Sequence, residues 1–115
     1  MKDLRLESFK RLQHIEQAIT FIEDHTINET SENFEKNLVL NNAILFQFTI
    51  IGEAIMHVEN EILQKYDYPW YKVRSFRNLI SHEYFNVKLI AVWQVIQNDL
   101  PELKELVKKM LRNEF

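Results

Sequence analysis

The scarcity of chain-breaking residues is the feature that most constrains how this sequence can fold. Its 115 residues include a single glycine, Gly52, and two prolines, Pro69 and Pro101. Because glycine and proline mark most tight turns, a chain with so few of them favours long helices over a sheet of short strands. The sequence therefore predicts an all-α fold that changes direction at only a few points.

Apolar side chains recur every three or four residues along most of the chain, which is the spacing of one buried helix face. A first helix is predicted over residues 3–24, followed by a polar turn at 25–31 that is rich in helix-capping residues. A second and longest helix is predicted from about residue 34 or 38 to residue 66. Its apolar seam is formed by Ile44, Phe48, Ile51, Ile55, Val58 and Ile62.

The second helix carries more apolar surface than one neighbour can cover. We therefore expect it to have two packing partners, one within the subunit and one outside it. Gly52 lies in the middle of this helix, at a cost of about 1 kcal/mol relative to alanine. That cost is consistent with a site where another backbone comes close.

Pro69 ends the second helix and begins a short third helix over residues 70–81. Within it, Trp70 is expected to pack rather than to stack on a base. The buried side of this helix is predicted to consist of Phe76, Leu79 and Ile80.

A fourth helix is predicted over residues 87–110, with Asn86 as its cap. Pro101 must kink or restart this helix, and Asp99 stands where it would cap the restart. Together the four segments predict an antiparallel four-helix bundle with a short extra helix or turn.

Composition and charge narrow the class of protein. The chain has 46% hydrophobic residues, no cysteine and a net charge of −3, which together indicate one globular domain without disulfides rather than a general nucleic-acid binder. The first 25 residues lack an apolar signal core, and no stretch is expected to approach the roughly 18 uncharged residues of a membrane span. A cytoplasmic protein is therefore expected.

The histidines at positions 14, 25 and 57 give no metal signal. His14 and His25 have no partner at metal-ligand spacing and are predicted to lie on the surface. Glu53 and His57 are four apart, but they lack a third ligand in register. The sequence therefore predicts no metal site and no cofactor.

The segment from residue 69 to 88 concentrates positive charge and chemically active side chains. It carries four basic residues against one acidic residue, namely Lys72, Arg74, Arg77 and Lys88 against Glu83. Such a basic patch on an acidic body fits a confined phosphate site. Lys72 and Arg74 are candidate contacts to RNA phosphates, and the residues with chemistry of their own are Arg77, Asn78, His82 and Tyr84.

Arg77 and His82 have the chemistry needed to cleave RNA without a metal. A guanidinium matches phosphate oxygens and keeps its proton near neutral pH. An imidazole can take a proton from a ribose hydroxyl or return one to a leaving oxygen. The alternative is that Arg77 pairs with a neighbouring carboxylate and His82 is a polar helix end.

Helix geometry sets a condition on this site. Asn78 and His82 are four apart and share one face with Arg74, whereas Arg77 and His82 are five apart and lie roughly 140° from each other. They converge within a subunit only if the helix ends or distorts near Ser81, or if the arginine side chain reaches round.

The ordered set of motifs resembles one known family. The run R-N-L-I-S-H-E-Y at residues 77–84 matches the R-N-x-x-x-H-x-Y signature of the HepT branch of the HEPN superfamily, which are small helical ribonuclease toxins. The upstream Pro69-Trp70, the I-G-E-A at 51–54 and the V-W-x-x-I-x-x-D-L-P-x-L at 92–103 agree with it. The resemblance extends over residues 41–111 and implies that residues 1–115 form a single HEPN domain.

The resemblance also implies a function. Family members are metal-independent ribonucleases in which two motifs meet across a homodimer to form one composite cleft for RNA, such as tRNA or mRNA. Carried onto this sequence, the catalytic residues are Arg77, Asn78 and His82. The dimer would supply the second imidazole, since transesterification needs both a general base and a general acid.

The same resemblance implies a partner that regulates the toxin. In such type VII (HepT/MntA) toxin-antitoxin systems, a minimal nucleotidyltransferase of the MntA type neutralises the toxin by transferring AMP to the tyrosine of the H-x-Y element, here Tyr84. The first alternative is a non-catalytic nucleotide- or substrate-binding partner of such a nucleotidyltransferase. The second is a purely structural helical dimer. For Tyr84 itself, the alternative to modification is that it only packs at the helix junction.

Overall fold

The predicted all-α fold is confirmed by a computed structural model, which describes residues 3–115. In that range every regular element is helical. The α-helices are α1 (Leu4–Thr26), α2 (Ser31–Lys36), α3 (Leu38–Ile55), α4 (Asn60–Gln64), α5 (Trp70–His82), α6 (Leu89–Gln94) and α7 (Leu100–Glu114). A 3₁₀ turn at Tyr84–Asn86 follows α5, and a π-helical turn at Val95–Asp99 joins α6 to α7.

The helix α1 is central to the bundle because it packs against both α3 and α7. The Asp3 carboxylate caps it by accepting the Leu6 N–H at 3.0 Å. The apolar stripe predicted for this helix is buried, and it joins one core with α3, α5 and α7. The helix α3 therefore lies between α1 on one side and α5 on the other.

The prediction of one long second helix is wrong, because α3 ends at Ile55 and the chain turns before α4. At the turn, Glu59 has an extended backbone, and its N–H donates to the buried Ser8 hydroxyl of α1 at 2.9 Å. Val58 and Ile62 are nevertheless buried in the core on either side of Glu59. The apolar spacing therefore continues through a break that a tertiary hydrogen bond stabilises.

A short helix, α2, precedes α3, and the sequence pattern did not predict it as a separate helix. Thr30 caps α2 by accepting from the Asn33 N–H at 3.1 Å, and Asn37 caps α3 by accepting from the Leu40 N–H at 3.0 Å. Two successive capping residues thus produce two helices where the pattern predicted one helix start.

The start of α5 is fixed by Trp70, which is buried and donates its indole N–H to the Leu63 carbonyl at 2.9 Å. Its predicted packing role is confirmed. Phe76 contacts Phe48 of α3 edge to face, with ring centroids 5.1 Å apart, and Ile80 is buried. Leu79, predicted to be buried, is 39% exposed because α5 packs mainly on one neighbour, α3, which covers only one stripe.

Neither helix cap predicted for the last part of the bundle, Asn86 or Asp99, is found there. The Asn86 amide donates to Glu83 instead, at 3.1 Å, and α6 begins only at Leu89. Asp99 makes no side-chain cap at the start of α7. The interruption predicted at Pro101 does occur, as a π-helical turn that precedes a residue unable to donate a backbone hydrogen bond.

One expectation about membrane spans is also corrected. Within residues 3–115, α3 alone has the length and apolar composition of a membrane-spanning helix. Part of that composition belongs to the core, since 44% of the helix is buried against the rest of the protein. The remainder includes the strongly exposed side chains of Leu38, Val39 and Phe46.

Candidate active site

The helices α3 and α5 come close together where Gly52 faces Arg77. A Cβ atom built on Gly52 would lie 2.2 Å from the Arg77 Cβ and 2.7 Å from its Cγ. The Val73 carbonyl oxygen would be 3.4 Å away. The close backbone approach predicted from Gly52 is therefore confirmed, and the absent side chain leaves room for the base of the arginine.

The Arg77 guanidinium is held by two oxygen acceptors. Its Nη2 donates to Glu53 Oε2 at 3.1 Å, and its Nη1 donates to Asn78 Oδ1 at 3.0 Å. Arg77 thus pairs with a neighbouring carboxylate, as the alternative interpretation of the sequence required. A guanidinium has five N–H donors, so these two bonds orient the group without using all of its donors.

Glu53 is the site residue that sequence reasoning missed. Besides Arg77, its carboxylate contacts His57 Nε2 at 3.3 Å, so the two residues do face the same way. No local signal identified this role, because Glu53 reaches Arg77 only through the packing of α5 against α3.

Arg77 lines an open groove of about 400 Å³ above α3, between α1 and α5. Helix α1 contributes Arg11 and His14 to this groove, and α5 contributes Arg77 and Ser81. The residues from α3 are Phe46, Thr49, Ile50, Glu53 and Ala54. His14 is exposed, as predicted, but the fold brings it to the same groove as the motif arginine.

His82 does not line this groove. The helix α5 continues through Ser81 and ends at His82, with Glu83 as its C-cap residue, so no distortion at Ser81 brings His82 towards Arg77. The imidazole is exposed, and within residues 3–115 it makes no hydrogen bond. A single subunit therefore leaves Arg77 and His82 on different sides of the helix, as their five-residue spacing implies.

Tyr84 lies in the 3₁₀ turn directly after α5, where it is 45% exposed. Its hydroxyl donates to the Asn42 Oδ1 of α3, and its ring packs edge to face on Phe85 with centroids 5.6 Å apart. The phenol is thus accessible from solvent and also ties the turn to α3.

A family comparison now bears on this geometry. The model of the family described as ribonuclease HepT-like matches residues 15–110. This chain belongs to the HepT-like ribonuclease family. The matched range contains Gly52, Glu53, Arg77, His82 and Tyr84.

Curated relatives agree with this assignment. A "Putative RNase" of Caldanaerobacter subterraneus subsp. tengcongensis is 34% identical over 90% of this chain and 93% of its own length. The "Probable ribonuclease HepT" of Thermococcus cleftensis is 29% identical over 86% of this chain and 91% of its own length.

A third relative is longer than this chain. It is a Methanocaldococcus jannaschii protein named "Gamma-glutamylcyclotransferase and putative RNase", which is 35% identical over 87% of this chain, and the match spans only 46% of that relative. No solved structure gives a significant match.

The two other basic residues predicted at the HepT-like site lie away from the groove. Lys72 is exposed beside a separate apolar pocket of about 190 Å³ that is also lined by Tyr68 and Asp99. Burial, reinforced by nearby carboxylates, raises the pKa of the Tyr68 phenol above its usual value. Arg74 is half-buried one turn before Asn78 on α5. Neither Lys72 nor Arg74 is therefore among the residues that line the Arg77 groove.

The part of the chain that the structure describes contains no group of three His, Asp or Glu side chains that could hold a metal ion. Glu53 and His57 form a two-residue contact only. The chemical groups available at this HepT-like site are guanidinium, imidazole, amide, phenol and carboxylate.

Proposed function

We propose that this protein is a metal-independent endoribonuclease that acts as a homodimer, the toxin of a type VII (HepT/MntA) toxin-antitoxin pair. The observation that carries the proposal is the position of Arg77. Its side chain fits against Gly52 and is oriented by Glu53 and Asn78. The protein that carries it is a member of the HepT-like ribonuclease family.

The proposed reaction is an in-line transesterification of RNA. The 2′-hydroxyl oxygen attacks the adjacent phosphorus while one His82 imidazole removes its proton. Arg77, held by Asn78, stabilises the extra negative charge of the five-coordinate phosphorane. A second imidazole, now acting as acid, protonates the departing 5′-oxygen. The products are a 2′,3′-cyclic phosphate and a 5′-hydroxyl, so atoms and charge balance without water or metal.

The need for two imidazoles supports the homodimer. Each subunit has one motif histidine, and His82 does not share a groove with Arg77 of its own chain. Exposed apolar side chains on and after α3, namely Leu38, Val39 and Met56, provide surface that a second copy would cover. A two-fold axis near this surface would pair the two motifs.

Regulation is proposed to act through Tyr84. Its 45% exposure makes the hydroxyl accessible to an MntA-like nucleotidyltransferase antitoxin, which would transfer AMP from ATP to the phenolic oxygen and release pyrophosphate. The added phosphate would repel an RNA phosphate near His82. It would also replace the hydroxyl proton that Tyr84 shares with Asn42. Lys72 and Arg74 are proposed to contact more distant phosphates of a tRNA or mRNA substrate.

A second candidate function is favoured by one observation. Arg77 is already paired with Glu53, which is what a non-catalytic nucleotide-binding partner of a nucleotidyltransferase would also show. In that case Arg77 and His82 would bind a nucleotide without cutting RNA.

Cleavage of labelled single-stranded RNA in excess chelator separates these functions. We expect the parent protein to produce cyclic-phosphate ends and the His82→Ala and Arg77→Ala variants to lose at least about 10²-fold in rate. The matched control is His25→Ala, which removes an exposed histidine near the far end of α1. Nucleotide binding by a parent protein that leaves RNA intact would instead support the binding partner.

AMP transfer is tested by intact-mass measurement after co-expression with the nucleotidyltransferase. We expect the parent toxin to gain the mass of at least one AMP and the Tyr84→Phe variant to gain none. An inactive toxin–antitoxin complex with unmodified Tyr84 would refute this part of the proposal.

A further inference from the structure

Two residues on α1 face the motif arginine across the groove. Arg11 and His14 are three apart, so they lie on neighbouring positions of one helix face. Both line the groove that contains Arg77, although they precede it by more than 60 residues in the sequence. Neither lies within residues 15–110, the range matched by the family model.

Arg11 is held in a defined orientation. Its Nε donates to Glu7 Oε1 at 2.8 Å, one turn earlier on α1, and the side chain is 29% exposed. This contact uses the Nε–H, which is one of the five N–H donors of a guanidinium. The groove therefore has one oriented guanidinium on its α1 side and one on its α5 side.

An exposed aromatic ring on α3 lines the same groove. Phe46 is 62% exposed although it stands among polar side chains in the groove. Cations that follow a phosphate backbone, together with an exposed aromatic ring on which a base can stack, are the common features of single-strand nucleic-acid sites. The volume of about 400 Å³ also falls within the roughly 300–1,000 Å³ of small-ligand sites.

We propose that α1 forms one wall of the RNA site, in which Arg11 and His14 bind the backbone of the nucleotide next to the scissile linkage and Phe46 stacks on its base. The inference rests on the proposed ribonuclease function, since it assigns substrate contacts to that site. Arg11 and His14 are binding residues in this assignment, and proton transfer remains with His82.

The test measures binding separately from cleavage. The probe is a fluorescently labelled single-stranded RNA with 2′-O-methyl groups throughout, which lacks the attacking hydroxyl and stays intact. Its Kd is measured by fluorescence anisotropy at several salt concentrations. The variants are Arg11→Ala, Arg11→Lys and His14→Ala. The controls are Lys10→Ala, which removes a charge from the adjacent exposed position, and His25→Ala.

We expect Arg11→Ala and His14→Ala each to raise Kd about tenfold, the size of one charge-assisted hydrogen bond. For Arg11→Ala, the slope of log Kd against log salt should fall by about 0.7, as for one lost phosphate contact on a single strand. Arg11→Lys should keep the slope, because the charge remains. The two controls should stay within twofold of the parent.

Kd values for Arg11→Ala and His14→Ala within twofold of the parent would overturn the inference. If the parent also cleaves unmodified RNA, the ribonuclease proposal survives that result. If the parent binds the probe but never cleaves, the ribonuclease proposal fails while the Kd ratios still decide the role of α1. A fall in kcat at unchanged Kd for His14→Ala would also overturn the assignment, because it would make His14 a catalytic group.

Discussion

Replacing Gly52 with alanine tests the central contact of the candidate site. The new Cβ would lie 2.2 Å from the Arg77 Cβ, whereas packed carbon atoms are separated by about 3.5–4.0 Å. The two helices must therefore move apart locally by at least about 1.3 Å, because a Cβ cannot rotate away. Alanine improves helix propensity by about 1 kcal/mol, but such overpacking typically costs about 1–3 kcal/mol.

We expect Gly52→Ala to lower the free energy of unfolding by up to about 2 kcal/mol, the overpacking cost less the propensity gain, with a fall in Tm of roughly 4–8 °C for each kcal/mol. The rate of RNA cleavage should fall by about 10²-fold even though the protein stays folded, because a displacement of about 1 Å is enough to misalign a catalytic group. Thermal unfolding followed by circular dichroism and an RNA-cleavage assay measure the two effects.

The Arg77→Gly background provides the decisive comparison. That substitution removes both atoms that a Gly52 side chain would meet most closely, Cβ and Cγ. There the same Gly52→Ala change should stabilise the protein by about 1 kcal/mol, the propensity difference alone. A destabilisation of equal size in both backgrounds would refute the reasoning, because the crowding would then come from another contact.

Two further predictions concern carboxylates. Glu53→Gln should change the free energy of unfolding by less than about 1 kcal/mol, since the ion pair between Glu53 and Arg77 is partly exposed. The same variant should cleave RNA more slowly, because the Arg77 guanidinium loses the carboxylate that orients it. An unchanged cleavage rate would contradict this role. Hydrogen bonds from Lys65 and, to a smaller extent, from Tyr66 lower the pKa of the Glu114 carboxyl in the folded protein. The ionised carboxylate therefore stabilises the fold fully at pH values above its ordinary pKa, and this stabilisation is lost as the pH falls through the lowered pKa of the folded state. The Tm difference between parent and Glu114→Gln should therefore close in acid, and a constant difference at all pH values would contradict the assignment.

Periodicity predicted the fold class and most helix positions because both depend on local spacing. It failed at Glu59, where a hydrogen bond from the Glu59 N–H to the Ser8 hydroxyl stabilises a turn inside an apolar pattern that continues without interruption. It also failed for Leu79, because spacing does not tell how many neighbours a helix will have. Both errors arise from tertiary contacts between residues distant in sequence.

The residues of the candidate site also fall into those that local sequence identifies and those that only tertiary packing brings to the site. Asn78 is adjacent to Arg77 and was found from the motif itself. Glu53 and His14 could not be assigned to the site from local sequence, because each reaches it only through the packing of another helix against α3. The spacing argument did anticipate that Arg77 and His82 diverge on a regular helix, and α5 is regular through His82.

The single glycine connects the fold to the proposed catalysis. Because the chain has almost no helix-breaking residues, α5 is continuous. In a continuous α5, Arg77 packs against α3 while His82 projects from a different side of the helix. An imidazole that completes the groove around Arg77 must then come from outside that subunit or from α1. On the proposed mechanism it comes from the second copy, so the activity per subunit should fall with dilution in parallel with the dimer fraction. Activity that persists unchanged in monomeric protein would place the proton-transfer groups within one chain.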